Sequence, residues 1–427
     1  MIRTRQPIVV MKFGGTSVGD VSRIKHVAEI VRDYQSENPE TGILVVVSAM
    51  AGETNKLVSL AKGCVDNPDP RELDVLLASG EQVTIALLAM RLLDLGIPAK
   101  SLLAQQARIA TSSEHTNALI EGVDAVRLRE VMRDGTIPVV AGFQGVDERG
   151  DITTLGRGGS DITAVAIAAA LEASACFIYT DVPGVFSTDP RMVPRARLLD
   201  RISHEEMLEM ASLGAKVLHT RSVYFAMRYQ IPLVVLSTFA GPLRPGVNGT
   251  WIVPEEELME KPVVTGITHR LDEARITIHG MSPDIQKISK LFVVLADQGV
   301  FIDMISQEKG DGASVNVSIT VPDENSLLAL ETVRGVVPEL AGAGATIDRD
   351  IAKVSVVGIG MRYHTGVAAR LFQALSRERI DVRMINTSEI KISVLVQRKY
   401  CEAAVRALHE EFAEFEIKTV EETQASA

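Results

Sequence analysis

The sequence of 427 residues predicts an α/β protein whose mainly parallel sheet is followed by two ferredoxin-like units. In the first 250 or so residues, short buried-type strands alternate with helical patterns, as in a parallel sheet with right-handed crossovers. In the second half, segments recur: residues 274–278 resemble 352–356, and residues 303–306 resemble 383–386. Each copy has the pattern βαββαβ. The predicted domains are 1–253, 263–345 and 346–427.

The composition argues against several classes of function. The net charge is −11 and Lys and Arg do not cluster, so neither nucleic acid nor an anionic membrane is an expected partner. Aromatic residues make up 4%, too few for base-stacking surfaces. The three cysteines are far apart, which predicts neither a disulfide framework nor a structural zinc site. We find no signal peptide and no uninterrupted apolar run of membrane length, and therefore expect a cytoplasmic protein.

Several predicted strands end in polar or glycine-rich loops. The strands and the residues that follow them are 7–13 before Gly14-Gly15-Thr16-Ser17, 43–47 before Ser48 and Thr54-Asn55, 137–143 before Gln144-Gly145, and 175–179 before Thr180-Asp181. In a parallel sheet the carboxyl ends of the strands share one edge, and ligands bind there. We therefore expect these loops to converge on one site.

Residues 153–191 contain the strongest local signal. A turn of sequence Gly-Arg-Gly-Gly-Ser-Asp, residues 156–161, opens a predicted buried helix at about 163–173. Glycines let backbone N–H groups approach an anion, and the positive end of the helix dipole favours it. Arg157 could bind a carboxylate or a phosphate with two parallel hydrogen bonds. The alternative is an ordinary glycine-rich loop before a core helix.

A long helix is predicted over residues 71–95, and Ser79-Gly80-Glu81 interrupts its apolar stripe. A glycine inside a helix costs roughly 1 kcal/mol relative to alanine, so a close approach is expected at Gly80. Either a ligand or a tightly packed neighbour would explain it.

Known nucleotide motifs are missing from the sequence. It contains neither a Walker A sequence nor the protein-kinase signatures. The pair Gly358 and Gly360 is not followed by a third glycine, because Tyr363 stands there, which argues against a dinucleotide site. Lys12 alone could equally be a surface lysine. Together with Lys216 and the glycine turns, it predicts a site for phosphoryl transfer, which needs cations and N–H dipoles around the moving group.

With these motifs the sequence resembles the aspartate kinases of the amino-acid kinase family. The resemblance covers nearly the whole chain and includes a C-terminal pair of ACT domains. It implies a three-layer amino-acid kinase fold. The segments that carry it are Lys12-Phe13-Gly14-Gly15-Thr16-Ser17-Val18, Ser79-Gly80-Glu81, Gly142-Phe143-Gln144-Gly145, residues 154–161, residues 179–185, residues 188–191 and Gly214-Ala215-Lys216-Val217-Leu218-His219.

The reaction that the resemblance implies is phosphorylation of the β-carboxylate of L-aspartate by ATP with Mg²⁺, giving 4-phospho-L-aspartate. This is the first step toward lysine, threonine and methionine. Lys12 would stabilise the transferring phosphoryl group, and Asp161 would orient Lys12. The implied aspartate-binding residues are Ser48, Thr54, Glu81, Arg157, Gly158 and Ser160. The implied ATP-binding residues are Lys12, Phe13, Gly14, Gly15, Thr180, Asp181, Phe186, Arg191, Lys216 and Val217; no protein metal site is expected.

The ACT pair would bind lysine and/or threonine as feedback effectors. The implied effector residues are Asp303, Met304 and Gln307 in the first copy, and Met361, His364, Thr365, Gly366, Val367, Ile385, Asn386, Thr387 and Ser388 in the second. The sequence departs from the family pattern at Arg108, at Thr365 and in the segment 283–286. The resemblance also implies a homo-oligomer formed through the ACT domains, and Met259 is a candidate internal start for a separate regulatory subunit.

Two other functions fit the sequence. The chain could be a catalytically silent amino-acid sensor, against which the intact Lys12, Arg157 and Asp161 argue. It could also be a related carboxylate or carbamate kinase, against which Glu81 and the ACT pair argue.

Overall fold

A computed structural model of the chain describes residues 6–215, 217–241, 248–258 and 262–425, with side chains as far as residue 413. Lys216 and Met259 lie outside the described residues. The chain forms two compact units. The bounds of the first are Met1–Phe186, Arg197–Ser212 and Lys216–Glu260, and those of the second are Ser187–Ala196, Leu213–Ala215 and Lys261–Ala427.

In the first unit, strands alternate with helices. The strands are β1 (Ile8–Phe13), β2 (Gly42–Val47), β3 (Ala99–Leu102), β4 (Ile109–Thr111), β5 (Ile120–Val123), β6 (Ile137–Ala141), β7 (Gln144–Val146), β8 (Ile152–Thr154), β9 (Ala175–Thr180), β10 (Arg201–Ser203), β11 (Leu233–Ser237) and β12 (Thr250–Val253). The helices are α1 (Val21–Glu37), α2 (Glu53–Cys64), α3 (Pro70–Asp94), α4 (Ala104–Ala107), α5 (Ala125–Met132), α6 (Gly159–Leu171), α7 (His204–Ser212) and α8 (Thr220–Tyr229), and a short 3₁₀ turn covers Glu255–Glu257.

The central sheet contains eight strands in the order β10-β12-β11-β9-β1-β2-β6-β3. Neighbouring strands are parallel except for β11 and β12. All residues of β1 and β6 are buried, because both faces of a sheet of this kind are covered. The predicted mainly parallel sheet is confirmed.

The side chains of β1 point alternately to the main core and to the opposite face of the sheet. Val9, Met11 and Phe13 pack with residues of α1 and α3 in the main core. Successive side chains of a strand point to opposite faces, so Lys12 points the other way and meets Asp161 of α6. The three layers are therefore α1 with α3, the sheet, and the layer that contains α6, as the resemblance implied.

A second sheet of the first unit was not predicted. Its strand order is β5-β4-β7-β8. The hydroxyl groups of Thr111 and Thr153 form a hydrogen bond of 2.5 Å between β4 and β8. Strand β8 ends at Thr154, immediately before the glycine-rich turn. The small sheet therefore holds the chain that enters the candidate site.

Helix α3 is long and apolar enough to cross a membrane by length and composition alone, which the sequence analysis did not predict. Half of its most apolar stretch is buried inside the molecule. Its buried residues include the acidic Asp74 and Glu81. We interpret α3 as a core helix, because such helices pass the same test.

The second unit contains two four-stranded sheets. Its strands are β13 (Gly266–Arg270), β14 (Glu273–Met281), β15 (Ile305–Lys309), β16 (Val315–Pro322), β17 (Gly344–Asp348), β18 (Ile351–Val357), β19 (Met384–Thr387) and β20 (Lys391–Gln397). Its helices are α9 (Ile285–Asp297), α10 (Ser326–Val336), α11 (Val367–Arg377) and α12 (Cys401–Ala425), with 3₁₀ turns at Asp323–Asn325, Ile359–Arg362 and Arg398–Tyr400.

The two sheets have the same ferredoxin-like order but differ in the source of one strand. The first sheet is β15-β16-β14-β17 and follows the predicted βαββαβ pattern. The second sheet is β13-β18-β20-β19. Strand β13, which precedes the first repeat in the chain, pairs antiparallel with β18 in the position that β17 has beside β14. The second repeat is therefore completed by a strand from before the first.

The segment Ser187–Ala196 packs within the second unit. The Ile267 N–H donates to the Ser187 carbonyl at 2.7 Å. The Oγ of Ser187 lies 3.0 Å from Nε2 of His409 on α12. Val193 is buried in the core of the second repeat. Sequence patterns did not predict this association.

Gly358 and Gly360 have a packing role. A Cβ atom on Gly358 would lie 2.4 Å from the carbonyl oxygen of Val263, and one on Gly360 would lie 2.4 Å from that of Pro262. These two glycines, which superficially suggest a dinucleotide-binding motif, are needed because the backbone of Pro262 and Val263 packs closely against them.

Candidate active site

Lys12 and Asp161 form an ion pair at the carboxyl end of β1. Lys12 Nζ lies 2.5 Å from Asp161 Oδ1, and the two side chains are 11% and 13% exposed. Strand β1 supplies the lysine, and the first turn of α6 supplies the aspartate. Limited access of water strengthens electrostatic interactions here. A cation held in this way is suited to stabilise charge on a phosphoryl group.

The glycine loop after β1 fits closely against two neighbouring loops. A Cβ atom on Gly15 would lie 2.9 Å from the carbonyl oxygen of Ala49, so a side chain would displace the backbone. The Ala51 N–H donates to the Gly15 carbonyl at 3.1 Å, and the Gly14 N–H donates to the Tyr179 carbonyl at 3.2 Å. The loop therefore joins the carboxyl ends of β1, β2 and β9.

The turn before α6 is built for a bound anion. Gly158 has a φ of 71°, a left-handed conformation that suits glycine. The side chain of Arg157 is exposed, and Ser160 is buried in the first turn of α6. A Cβ on Gly142 would lie 2.8 Å from Ser160 Oγ, so the end of β6 approaches this turn closely. The N-terminus of α6, beside Arg157, favours negative charge.

Glu81 lies at the same edge of the sheet. It is 2% exposed, and its Oε1 accepts a hydrogen bond of 3.0 Å from the Ala49 N–H. A Cβ on Gly80 would lie 2.8 Å from the Ala49 Cβ. Tight packing therefore explains Gly80, and the same packing brings Glu81 to the loop after β2. Within the described residues, Oε2 of Glu81 has no hydrogen-bond partner.

Burial raises the pKa of Glu81 to about 7, and the hydrogen bond from Ala49 only partly opposes this. Near neutral pH the carboxyl group is therefore divided between its protonated and ionised forms. A cationic group that met Oε2 would favour the ionised form. An amino acid's ammonium group has the charge and donors for this contact.

Ser48 and Thr54 continue the same edge. The Ser48 N–H donates to the Phe13 carbonyl at 3.1 Å, and the Ser48 carbonyl accepts from Thr84 Oγ1 at 2.8 Å. Thr54 lies in the first turn of α2, just after Gly52, which has a φ of 84°. Ser48 is thereby fixed between β1 and α3, beside the Glu81 contact.

A buried carboxylate that the sequence analysis missed supports the glycine-rich turn. Asp74 on α3 is fully buried and accepts from Thr154 Oγ1 at 2.5 Å and from the Thr116 N–H at 3.0 Å. Nδ1 of His115 lies 2.9 Å from Asp74 Oδ2. The available signal was spacing: Asp74 precedes Glu81 by two helical turns and lies on the same face. Asp74 therefore ties α3 to the strand that enters the turn.

Two of the predicted nucleotide residues lie at the end of β9, where Thr180 is the last residue of the strand and Asp181 follows it. Thr180 Oγ1 donates to Asp181 Oδ1 at 3.1 Å. The Thr180 carbonyl accepts from the Thr238 N–H at 2.9 Å, which fixes the strand end. The side chain of Asp181 is exposed. Phe186 forms an isolated bridge with Leu198 and is half-buried.

Arg191, another predicted nucleotide residue, belongs to the second unit. Its guanidinium donates to both carboxylate oxygens of Asp189, at 3.0 and 2.7 Å. This pair lowers the pKa of Asp189. Val217 is half-buried, whereas the predicted ligand Lys216 lies outside the described residues.

Two of the first-copy effector candidates, Asp303 and Met304, lie in contact with the second repeat. Asp303 forms a close ion pair with Lys353 of β18, whose Nζ also lies 2.6 Å from Glu273 Oε1. Met304 is buried in a small cluster that includes Met384. An effector ammonium at Asp303 would therefore compete with Lys353.

Most of the remaining effector candidates are accessible. Gln307 lies exposed on β15. In the second copy the exposed residues are His364, Thr365, Gly366, Ile385, Thr387 and Ser388, the half-buried ones are Met361 and Asn386, and Val367 is buried. The unusual segment 283–286 contains Asp284, which caps α9 by accepting from the Gln286 N–H at 3.0 Å. That departure therefore has a structural role.

Asp181 is the residue at this edge of the sheet that could contact a Mg²⁺ ion carried by a nucleotide. Across the ranges that the structure describes, no group of three or more His, Cys, Asp or Glu side chains could hold a metal. Mg²⁺ commonly binds through substrate phosphates with one or two carboxylates. The exposed carboxylate of Asp181 is suited to that role.

Comparisons with known proteins agree with this geometry. Residues 7–237 match the model of the amino acid kinase family, and residues 354–412 match the model of the ACT domain. The aspartate kinase Ask_LysC of Stutzerimonas stutzeri (strain A1501) is 52% identical over 408 residues, which cover 95% of this chain and 97% of that protein.

Two solved structures of Escherichia coli aspartokinase III are also similar. The complex with aspartate and ADP (R-state) has a TM-score of 0.75 and 27% identity. The complex with lysine and aspartate (T-state) has a TM-score of 0.71 and 28% identity, and each alignment covers 95% of this chain and 99% of the other. The chain belongs to the aspartokinases of the amino acid kinase family, with a C-terminal ACT region.

Proposed function

We propose that this aspartokinase transfers the γ-phosphoryl group of ATP to the β-carboxylate of L-aspartate, giving 4-phospho-L-aspartate and ADP. The observation that carries the proposal is the ion pair of Lys12 and Asp161 beside the turn that contains Arg157. Phosphoryl transfer depends mainly on positioning and on stabilising charge, which this arrangement supplies.

In the proposed reaction, an oxygen of the β-carboxylate attacks the γ-phosphorus. The bond from that phosphorus to the oxygen bridging it to the β-phosphate breaks, and ADP leaves with the electron pair. The attacking carboxylate is ionised at neutral pH, so no general base is needed. Lys12 stabilises the charge that develops on the phosphoryl oxygens, and Asp161 keeps Lys12 in place.

The aspartate substrate has three charged groups, and separate residues meet the two that do not react. Arg157 pairs with the α-carboxylate, aided by Gly158 and Ser160 on the same turn. Glu81 accepts the ammonium group through its unpartnered oxygen. Ser48 and Thr54 complete the substrate site. This division leaves the β-carboxylate directed toward Lys12.

ATP is bound at the ends of β1 and β9. The residues proposed for this are Phe13, Gly14, Gly15, Thr180, Asp181, Phe186 and Val217, together with Lys216. Arg191 belongs to the second unit and stays a prediction of the resemblance. Mg²⁺, held by the nucleotide's phosphates and Asp181, would neutralise charge on the phosphates. The Gly14 N–H is bonded to the Tyr179 carbonyl, so the Gly15 N–H is the glycine donor proposed to meet a phosphate after β1.

We further propose that the reaction begins lysine, threonine and methionine synthesis in the cytoplasm. Lysine and/or threonine would bind the ACT candidates and inhibit, and the ACT region would join subunits in a homo-oligomer. Translation from Met259 would give a separate regulatory subunit. Mass spectrometry of the natively expressed protein tests this last point, and a single full-length species would contradict it.

The reaction is tested with ATP, Mg²⁺, aspartate and hydroxylamine, which traps an acyl phosphate as a hydroxamate. We expect aspartyl hydroxamate from the wild type and a large loss of rate in Lys12→Ala. Failure of the wild type to form it would reject the proposal, and a full rate in Lys12→Ala would reject the role of Lys12. Adding lysine, threonine or both identifies the effector.

A further inference from the structure

His219 has one ring nitrogen committed to the fold. It is the N-cap residue of α8, and its Nδ1 accepts the Arg221 N–H at 3.3 Å. A nitrogen that accepts a hydrogen bond carries no hydrogen, so in the neutral ring the hydrogen must lie on Nε2. The helix cap therefore selects the tautomer of His219.

The other edge of the ring faces the glycine-rich turn. A Cβ on Gly158 would lie 2.4 Å from both Cβ and Cγ of His219, and 3.0 Å from its Cδ2. In imidazole, Cδ2 is bonded to Nε2, so the edge that carries the hydrogen lies on the side of the turn. This contact also accounts for the glycine at position 158, which any side chain would disturb.

The surroundings keep the ring neutral. Burial is the largest influence and lowers the pKa of His219, and the positive charges of Arg221 and Arg157 act in the same direction against the opposing effect of Asp161. A neutral imidazole donates one hydrogen bond without adding charge to the site. Within residues 6–215, 217–241, 248–258 and 262–413, no side chain or backbone group bonds to Nε2.

We propose that His219 is a further catalytic residue, whose Nε2–H donates to an oxygen of the anion bound at the turn that contains Arg157 and Asp161. The inference rests on the proposed function, because that anion is either the substrate α-carboxylate or the transferring phosphoryl group. A donor to the carboxylate lowers KM for aspartate, whereas a donor to the phosphoryl group raises kcat. The two sources are therefore distinguishable by kinetics.

Two substitutions distinguish the capping role of His219 from its proposed role as a hydrogen-bond donor. In His219→Asn, Oδ1 takes the place of Nδ1 and asparagine is a good N-cap, but the outer donor is lost. In His219→Gln, the side-chain amide reaches the place of Nε2, but the cap is lost. We expect His219→Asn to keep the melting temperature and to lose about 100- to 1,000-fold in kcat/KM for aspartate, in the range of a single oxyanion donor.

We expect His219→Gln to melt earlier than His219→Asn and yet to be the more active of the two. Opposite orders of activity and stability support the proposal. The same order in both measurements, or full activity in His219→Asn, overturns it and assigns His219 to capping alone. A wild type that forms no aspartyl hydroxamate rejects the proposed function instead.

Discussion

The Ala49 N–H donates a hydrogen bond of 3.0 Å to one oxygen of Glu81, while the other oxygen has no partner in the described part of the chain. The contact depends on Gly80, which lets α3 approach the loop after β2. A buried carboxylate is costly when it is ionised with one unsatisfied oxygen. Without a ligand, the protonated form of Glu81 is therefore favoured, whereas an ammonium ligand favours the ionised carboxylate.

We expect KM for aspartate to rise as the pH is lowered from about 8 to about 6, because Glu81, with a pKa of about 7, becomes protonated in this interval. A protonated carboxyl group attracts an ammonium group only weakly. Steady-state kinetics should show a rise that approaches tenfold for each pH unit below the pKa. KM for ATP serves as the control, and Glu81→Gln should raise KM for aspartate and remove its pH dependence. A constant wild-type KM would contradict this role.

Without bound substrate, ionisation of Glu81 should lower the free energy of unfolding of the first unit at alkaline pH. The pKa of Glu81 is raised in the folded state, so stability is highest below the unfolded pKa and is lost as pH rises through about 7. We expect Glu81→Gln to raise the free energy of unfolding by up to about 3 kcal/mol at pH 8, and to change it little at pH 4. Trp251, the only tryptophan in the sequence, lies in the first unit and reports its unfolding by fluorescence. Equal stabilisation at both pH values would exclude Glu81 ionisation as the cause.

Asp74→Asn should reduce activity, although Asp74 is not one of the proposed substrate-binding residues. Asparagine keeps one acceptor oxygen but puts an NH2 group in place of the other, and the Thr116 N–H donates to both oxygens of the carboxylate. A buried polar mismatch of this kind costs about 1–3 kcal/mol. The displaced turn should lower kcat/KM for aspartate while binding of ATP changes less.

Asp147→Asn is the matched control, because Asp147 is also buried and accepts from the backbone, at Arg149 and Asp151, but in a different turn. If the two substitutions reduce activity equally, Asp74 has no special relation to the Arg157 turn.

The sequence predicted strands β1, β2, β6 and β9 of the central sheet, because unbroken apolar strands and glycine turns are local signals, but it did not predict β3, β10 or β12. Lys12 is an example, since its position in the alternation of β1 determines the face on which it lies. The hydrogen bonds by which Asp74 holds the strand before the glycine-rich turn could not be predicted in the same way. Its partners lie about 40 to 80 residues away, and a single acidic residue in an apolar helix has no local pattern that names them.

Arg108 departs from the family pattern at a backbone position that suits glycine, and nothing in the structure explains the arginine. It stands where the resemblance leads one to expect glycine, and its φ is 55°. This left-handed conformation is costly for residues other than glycine. Arg108 also pairs with Asp124 at 2.8 Å, and that contact accompanies the strained backbone.

In the second unit, Lys353→Met should be strongly destabilising. Lys353 is 1% exposed and neutralises Glu273, which is 2% exposed. Burial raises the pKa of Glu273, and the charge of Lys353 opposes this. Removing one partner of a buried pair typically costs about 3–5 kcal/mol. Arg270, 3.5 Å from Glu273 Oε1, compensates for the lost lysine only in part, because its influence on the pKa of Glu273 is smaller. Circular dichroism during denaturation should show the loss, with the fluorescence of Trp251 little changed.

Two further variants distinguish a buried charge from a general loss of packing. Adding Glu273→Gln to Lys353→Met removes the more deeply buried of the two carboxylates that Lys353 contacts and should recover much of the stability. Lys290→Met removes an exposed lysine paired with Glu339 and should cost less than about 1 kcal/mol. If the double variant is no more stable than Lys353→Met, the lysine stabilises the unit through its packed stem, and the charges of Glu273 and Asp303 do not determine the effect.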